Sequence, residues 1–339
     1  MGAHRNIPIF IPHMGCPNQC VFCNQRSISG CRSFRLEDVK SKIEAFLSED
    51  AGERETEIAF FGGSFTGIDR ELMIRLLDIA QEYVDAGRVS GIRLSTRPDY
   101  ISEEILDILS GYTVKTIELG LQSMDDRVLA ASQRGHTARD AENACLAIRK
   151  RGFSLCGQMM IGLPEASEES EIYTAKKICQ MGASFSRVYP TVVFFDTPLC
   201  EMTKQGAYTP LSLQDAVVRA ANAYEVFNEA GVSCIRIGLC ASEELTCEDF
   251  VFAGPNHPAL GELVMGEAYY RRLLSYLQSE ALLGKEIVLE IPRREISRAV
   301  GQHRKNLDRL LWETQTRVTR VRGVDGTDLF CAYPSKKRL

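Results

Sequence analysis

Short β-rich runs alternate with longer amphipathic stretches over residues 1–240 of this 339-residue chain. The runs fall at 7–11, 57–61, 92–96, 116–121, 155–161, 187–193 and 234–237. Helical spacing of apolar residues fills the gaps: Leu36, Val39, Ile43 and Leu47 in one, Leu72, Leu76, Ile79 and Val84 in the next. Ser102 before Glu103 and Glu104, and Ser167 before Glu168 and Glu169, read as helix starts, with a capping hydroxyl and acids in the first turn. A long helix over 212–230 ends at Gly231, a C-cap signal. Such alternation predicts a parallel sheet with crossover helices. Six or seven units of this size fit a closed or partly closed β/α barrel, with a doubly wound open sheet as the alternative. Residues 241–284 read as a bridge, with Gly254 and Pro255 near its middle and a helical pattern over 260–283. Residues 285–339 read as a separate small unit.

Charge supports that division. Residues 285–339 carry 13 Lys/Arg and 7 Asp/Glu, a balance of +6, whereas the remainder carries 27 and 38, a balance of −11. A basic tail on an acidic body suggests two units with different partners. No run of about 18 uncharged apolar residues predicts a membrane span. The N-terminus shows none of the features of a signal peptide, so the expected location is the cytoplasm, with no membrane partner.

Twelve cysteines are many for a chain in a reducing compartment, where a disulfide framework is not expected. Cys145, Cys156, Cys179, Cys200 and Cys234 sit singly in apolar segments and read as small buried hydrophobes. Only Cys16, Cys20 and Cys23 have the tight spacing of a ligand set, C-x3-C-x2-C, directly after the first β-run. Soft thiolates suit an iron–sulfur cluster. A zinc site completed by His13, or no metal at all, are the other readings. Three ligands leave one iron of a 4Fe-4S cluster open. The amino and carboxylate groups of S-adenosylmethionine can chelate such a position, and radical cleavage is then chemistry of the cofactor pair.

The same segment, with Phe22 ahead of the third cysteine, resembles the signature of the radical S-adenosylmethionine superfamily. Residues 60–66, Phe-Phe-Gly-Gly-Ser-Phe-Thr, resemble its glycine motif, with Ser64 where many members have Glu. Ser95-Thr96-Arg97-Pro98-Asp99, Glu118-Leu119-Gly120-Leu121-Gln122-Ser123, Arg134-Gly135-His136-Thr137 and Ile161-Gly162-Leu163-Pro164 follow in the family's order. Residues 187–191 and 254–263 make the likeness closest to the radical domain of the Elongator catalytic subunit, with a more distant likeness to oxygen-independent coproporphyrinogen oxidases. The resemblance covers roughly residues 5–275.

This resemblance implies a partial β/α (TIM-like) barrel with its site at the C-terminal ends of the strands. It implies a 4Fe-4S cluster on Cys16, Cys20 and Cys23. It implies S-adenosylmethionine beside Phe22, Gly62, Gly63, Ser64, Thr96, Gln122, Ser123, Arg134, Gly162 and Leu163. It also implies an electron donor such as flavodoxin or ferredoxin, and an RNA substrate. Strand alternation puts Glu118, Gly120 and Gln122 on one face, either lining the lumen or forming a buried pair that shapes the core. Arg134 and Arg187 suit a carboxylate, with surface ion pairs as the alternative. Tyr189 faces substrate or core. His13 and His136 read as structural. A second metal site or a radical-reducing role at Cys31, Cys240 and Cys247 is a minor reading. The Elongator subunit continues into an acetyltransferase domain, which this chain is too short to hold, so acetyl-CoA is not an expected co-substrate.

The tail reads as strand 286–291, helix 293–300, polar loop 302–305, helix 306–313 and strand 316–321. This β-α-loop-α-β order resembles the core of a KH domain, whose Gly-x-x-Gly turn clamps a nucleic-acid backbone. Here Gly301 opens the turn and Arg304 takes its last position, so Gly301, His303, Arg304 and Lys305 are the candidate RNA contacts. A structural cap is the alternative. The expected function is radical modification of RNA. Its rivals are a small-molecule reaction such as tetrapyrrole chemistry, and a non-catalytic RNA-binding or assembly factor with a structural cluster.

Overall fold

A computed structural model describes residues 5–11, 14–16, 20–23, 34–49, 55–239, 250–326 and 331–335. His13, Cys31, Cys240 and Cys247 lie outside the described residues. Two compact units are present, one from Met1–Ala216 with Val226–Pro258 and one from Val217–Glu225 with Ala259–Leu339. The boundary at 258/259 falls inside the segment expected to bridge them.

The first unit is built on strands β1 (Arg5–Phe10), β2 (Thr56–Phe61), β3 (Gly91–Thr96), β4 (Val114–Gln122), β5 (Ser154–Ile161) and β6 (Phe185–Pro190). A two-residue strand, β7 (Val193–Phe194), comes next, then β8 (Ser233–Ile237). β1 to β6 and β8 pair in chain order, all parallel, as a seven-stranded sheet with β1 and β8 at its edges. This is a curled half-barrel of mixed α/β type, the partly closed form among the expected architectures. The strand expected over 187–193 stops at Pro190, which has no N–H to give a ladder. Val193 and Phe194 instead pair antiparallel with β9 (Val251–Ala253).

Helices α1 (Asp38–Ser48), α2 (Arg70–Asp85) and α3 (Glu103–Ser110) connect the first four strands. α4 (Asp126–Ala131) and α5 (Ala138–Lys150) follow β4, and α6 (Glu168–Gln180) follows β5. α7 (Pro198–Lys204) and α8 (Leu213–Glu229) precede β8. The expected starts are present: Ser102 Oγ accepts from Ile105 N at 3.2 Å, and Ser167 Oγ accepts from Ser170 N at 3.2 Å. Ser170, not an acid, returns the bond to Ser167 N and closes the capping box. Central strands are covered on both faces, which is why they read as apolar runs: Ile58, Ala59 and Phe60 are wholly buried. The exceptions are charges on the concave face, Glu57, Arg93, Glu118 and Arg187, all buried.

The second unit contains α9 (Leu260–Ser279), β10 (Glu286–Pro292), a 3-10 turn at Arg293–Glu295 and α10 (Ile296–Val300). A further 3-10 turn at Gln302–Arg304, α11 (Lys305–Thr314), β11 (Arg317–Val324) and β12 (Cys331–Pro334) complete it. β10 is central, parallel to β11 and antiparallel to β12. The β-α-loop-α-β order is therefore present, with a third strand that the sequence reading lacked. Leu273 and Leu277 of α9 share a core with Ile287, Leu289 and Leu310, so the helix placed in the bridge supplies one wall of this unit. No described helix is long and apolar enough to cross a membrane.

Candidate functional site

The loops after successive strands surround a cavity of about 560 Å3 on the concave face of the sheet. Cys16, Cys20 and Cys23 all line it. Cys20 is buried, and its carbonyl accepts from Cys23 N at 3.0 Å in a tight turn. Phe22, between them, packs on Met160 and Leu163 and anchors the loop to the sheet. Among the described residues, no three His, Cys, Asp or Glu groups converge closely enough to hold a metal ion. The three sulfurs therefore share a wall without meeting at a point.

Two guanidinium groups face this wall. Arg134 Nη1 donates to Cys20 Sγ at 3.5 Å and its Nη2 to Gly120 O at 2.7 Å. Its Nε is buried without a partner. Arg97 Nη1 lies 3.8 Å from Cys16 Sγ, while Nε and Nη2 form a fork onto Asp99 at 2.9 Å each. Burial works against the Arg97 charge, but the Asp99 bonds and the nearby thiols outweigh it and raise its pKa. His136 lies behind this pair, 4.0 Å from Asp99. Burial, helped by Arg134, lowers its pKa to about 4, so the ring is neutral near pH 7.

The glycine loop meets the cysteine loop backbone to backbone. Ser64 N donates to Met14 O at 3.2 Å. A Cβ on Gly63 would stand 2.3 Å from Met14 O, one on Gly15 2.4 Å from Ser64 O, and one on Gly67 2.4 Å from Gly15 O. Gly62, at φ +107°, turns the chain out of β2 where only glycine is unstrained. Ser64 Oγ accepts from Arg97 N at 3.1 Å, and Thr96 Oγ1 lies 2.6 Å from Thr66 Oγ1. Ser64 and Thr96 thus tie two loops together while lining the cavity.

Glu118, Gly120 and Gln122 all line the lumen, one of the two readings of their shared face. Gln122 reaches it through a bulge, with φ +68°, and forms a reciprocal amide pair with Gln158 at 3.0 and 2.9 Å. Glu118 pairs elsewhere. Its Oε1 accepts from Arg93 Nη1 at 3.0 Å and from Arg187 Nη2 at 2.9 Å. Arg93 Nε donates to Glu57 at 3.0 Å, and Arg187 Nη1 to Tyr189 OH at 3.1 Å. The result is a buried chain, Glu57–Arg93–Glu118–Arg187–Tyr189, across β2, β3, β4 and β6. Arg187 is a lumen residue with a buried partner, not half of a surface ion pair, and Tyr189 lines the cavity. Burial opposes both arginine charges, but the paired groups prevail and both pKa values are raised. Glu57, Arg93 and Gln158 were not singled out from the sequence. Their signal is a charged or amide residue on the concave-face parity of an otherwise apolar strand.

Three expected cofactor contacts do not line the cavity. Ser123 Oγ accepts from Asp125 N at 3.1 Å and steadies the start of α4. Gly162 is held from behind, its N–H on Glu171 at 2.6 Å and its carbonyl accepting from Tyr208 OH at 2.5 Å. Leu163 is buried beneath Phe22. Each sits just after a strand, but its groups are turned into the supporting layer. Cys145, Cys156 and Cys200 are buried and Cys179 and Cys234 half-buried, in keeping with their reading as packing residues. Burial pushes the Cys145 thiol up to about 12.

In the second unit Gly301, His303 and Arg304 belong to the turn before α11, and Lys305 is the first residue of that helix. His303 and Arg304 both take the left-handed backbone, at φ +51° and +65°. Arg304 thus adopts the conformation that a glycine would hold there without strain.

Residues 10–178 match the profile described as the Radical SAM superfamily, and residues 183–270 that of the Radical_SAM C-terminal domain. The chain belongs to the radical SAM superfamily. It is 32% identical over 220 residues to the uncharacterized protein MJ0486 of Methanocaldococcus jannaschii, covering 60% of this chain and 66% of that protein. It is 28% identical over 180 residues to Elongator complex protein 3 of Schizosaccharomyces pombe, covering 51% of this chain and 33% of that one. With the tRNA uridine(34) acetyltransferase of M. jannaschii it shares 27% over 199 residues, 52% of this chain and 37% of that enzyme. The match thus spans under two thirds of each of these relatives. The structure of Methanocaldococcus infernus Elp3 superposes with a TM-score of 0.60 at 20% identity, over 84% of this chain and 66% of that one, which shows a shared fold.

As a radical SAM enzyme, the chain is expected to carry a 4Fe-4S cluster and S-adenosylmethionine. The residues present fit both by chemistry, and they line one cavity. Two of the three thiols, Cys16 and Cys20, lie beside the Arg97 and Arg134 guanidinium groups. The orphaned Arg134 Nε offers a donor for a carboxylate in the same cavity.

Proposed function

We propose that this radical SAM enzyme acts on RNA, with a cluster held by Cys16, Cys20 and Cys23 and S-adenosylmethionine held beside it. The observation that carries the cofactor reading is that the three thiols, Arg134, Gly62 and Gly63 all line one cavity, with Arg134 on Cys20. When bound, the cofactor pair supplies one-electron cleavage of a carbon–sulfur bond.

This chain's own residues hold and exclude. Arg134 spans the site, with one nitrogen on Cys20, one on the Gly120 carbonyl and one left for an acceptor. Arg97, locked by Asp99, places a second positive charge by Cys16. Gln122, steadied by Gln158, keeps an amide edge toward the cavity. Phe22, Met160 and Val192 supply the apolar wall that limits water around a reactive radical.

An RNA substrate is supported by two relatives whose names place them in tRNA uridine modification and in Elongator. It is supported also by the basic turn of the second unit. Gly301 opens this turn, and His303, Arg304 and Lys305 offer donors and positive charge for phosphates.

The test is anaerobic reconstitution with iron and sulfide, reduction with dithionite, addition of S-adenosylmethionine, and assay of 5′-deoxyadenosine with and without total cellular RNA. Wild type should form deoxyadenosine and Cys20→Ala should not, with RNA raising the wild-type rate. Stimulation by a metabolite extract and indifference to RNA would favour a small-molecule substrate. A loaded cluster that never yields deoxyadenosine would leave a structural cluster.

A further inference from the structure

The parallel register places four residues side by side across the lumen. Gly120 of β4 is aligned with Gln158 of β5, Gln158 with Arg187 of β6, and Arg187 with Arg236 of β8. All four line the cavity. The two ends of this row differ. At the Gly120 end stand Arg134, Gln122 and the cysteine wall, the groups assigned above to the cofactors. At the other end, two strand spacings or about 10 Å away, stand two arginines on neighbouring strands.

Like charges in register on adjacent strands destabilise a sheet. Glu118 compensates only one of this pair, since its carboxylate binds Arg187 and Arg93, with Glu57 balancing the latter. Arg236 is solvent-accessible at the edge strand and has no ion pair among the described residues. Arg187 is 8% exposed, and its Nε is buried with no hydrogen-bond partner. A buried donor left unpaired costs about 1–3 kcal/mol, so its natural complement is an acceptor brought by a ligand. Among the described residues, the far end of the row therefore holds one positive charge without an ionic partner, one orphaned donor and the Tyr189 phenol beside them.

We infer that Arg187 and Arg236 form a receptor for a phosphate group of the substrate, placed across the lumen from the cofactor wall. This rests on the RNA reading for its choice of phosphate over other anions. Tyr189 and Glu118 hold the two terminal nitrogens of Arg187 and leave Nε as its unpaired donor, and Arg236 at the open edge provides the charge that draws the group in. The substrate enters as a nucleotide whose phosphate docks under β6 and β8 while its sugar or base reaches toward the cysteines.

The test uses reconstituted protein with S-adenosylmethionine present, so that the adenosyl position is filled. Binding of the four nucleoside 5′-monophosphates is compared by equilibrium dialysis with binding of the matching nucleosides at fixed ionic strength. At least one monophosphate should bind about tenfold more tightly than its nucleoside. Arg236→Gln should erase that preference, and Arg236→Lys should keep most of it. Inorganic phosphate should compete, and acetate at the same concentration should not. Nucleotide and nucleoside binding alike, or not at all, would overturn the receptor, as would a preference unchanged in Arg236→Gln. Equal competition by acetate would overturn the choice of phosphate. The deoxyadenosine assay separates the two readings. Phosphate-selective binding without RNA stimulation would leave the receptor and remove the RNA substrate. RNA stimulation undiminished in Arg236→Gln would do the reverse.

Discussion

At the scale of single residues, the concave face depends on charges that cannot be removed one at a time. Glu118 accepts from two arginines in a site where its side chain is 5% exposed. Deleting one member of a buried ionic set leaves its partners desolvated and unpaired, at a cost of about 3–5 kcal/mol. Glu118→Ala should lower the urea midpoint accordingly, with the slope of the transition unchanged. His136 makes a second prediction, with a definite sign. Its folded pKa of about 4 lies below the ordinary value of 6.5. The unfolded chain therefore takes up the proton first, and stability is lost as pH falls from the unfolded value toward the folded one. Between pH 7 and pH 5 this amounts to about 2 kcal/mol. The His136→Asn variant should show a stability curve flatter by that amount over the same interval.

At the scale of elements, the turn between α10 and α11 combines strain with charge. Two consecutive left-handed residues without glycine cost about 1 kcal/mol or more each. Arg304→Gly should raise the stability of the protein by about 1 kcal/mol in chemical denaturation. If the turn meets RNA, the same change should weaken RNA binding and reduce its salt dependence by about one phosphate contact. Stability gained without any change in RNA binding would assign the turn a purely structural part.

At the scale of the whole molecule, the second unit cannot be cut where the charge balance changes. Removing residues 285–339 would strip Ile287, Leu289 and Leu310 from Leu273 and Leu277 of α9 and expose an apolar helix face. The truncated chain should bind an environment-sensitive dye and aggregate on mild heating, so loss of RNA binding in it would not report on the turn. This boundary was hidden from the sequence for a physical reason. α9 looks like any amphipathic helix, and periodicity says that it has a buried side but not which core receives it. The seven parallel strands were legible because burial on both faces forces continuous apolar runs, and the loops after them carried the cysteine and glycine motifs. Glu57 with Arg93, and Arg187 with Arg236, were not, because their meaning lies in register between strands far apart in the chain. Ser123, Gly162 and Leu163 show the converse. Position after a strand was read correctly, but the Ser123 and Leu163 side chains and the Gly162 backbone groups are engaged by the supporting layer and do not line the cavity.

The tight seam between the cysteine and glycine loops has a consequence for how such a site can vary. At Gly15, Gly63 and Gly67 the two backbones leave no room for even one methyl group. Neither loop can be remodelled alone, because a change in the path of one collides with the other. Lineages descending from such a site should inherit the two loops as one block, and diversify instead on the opposite side of the lumen.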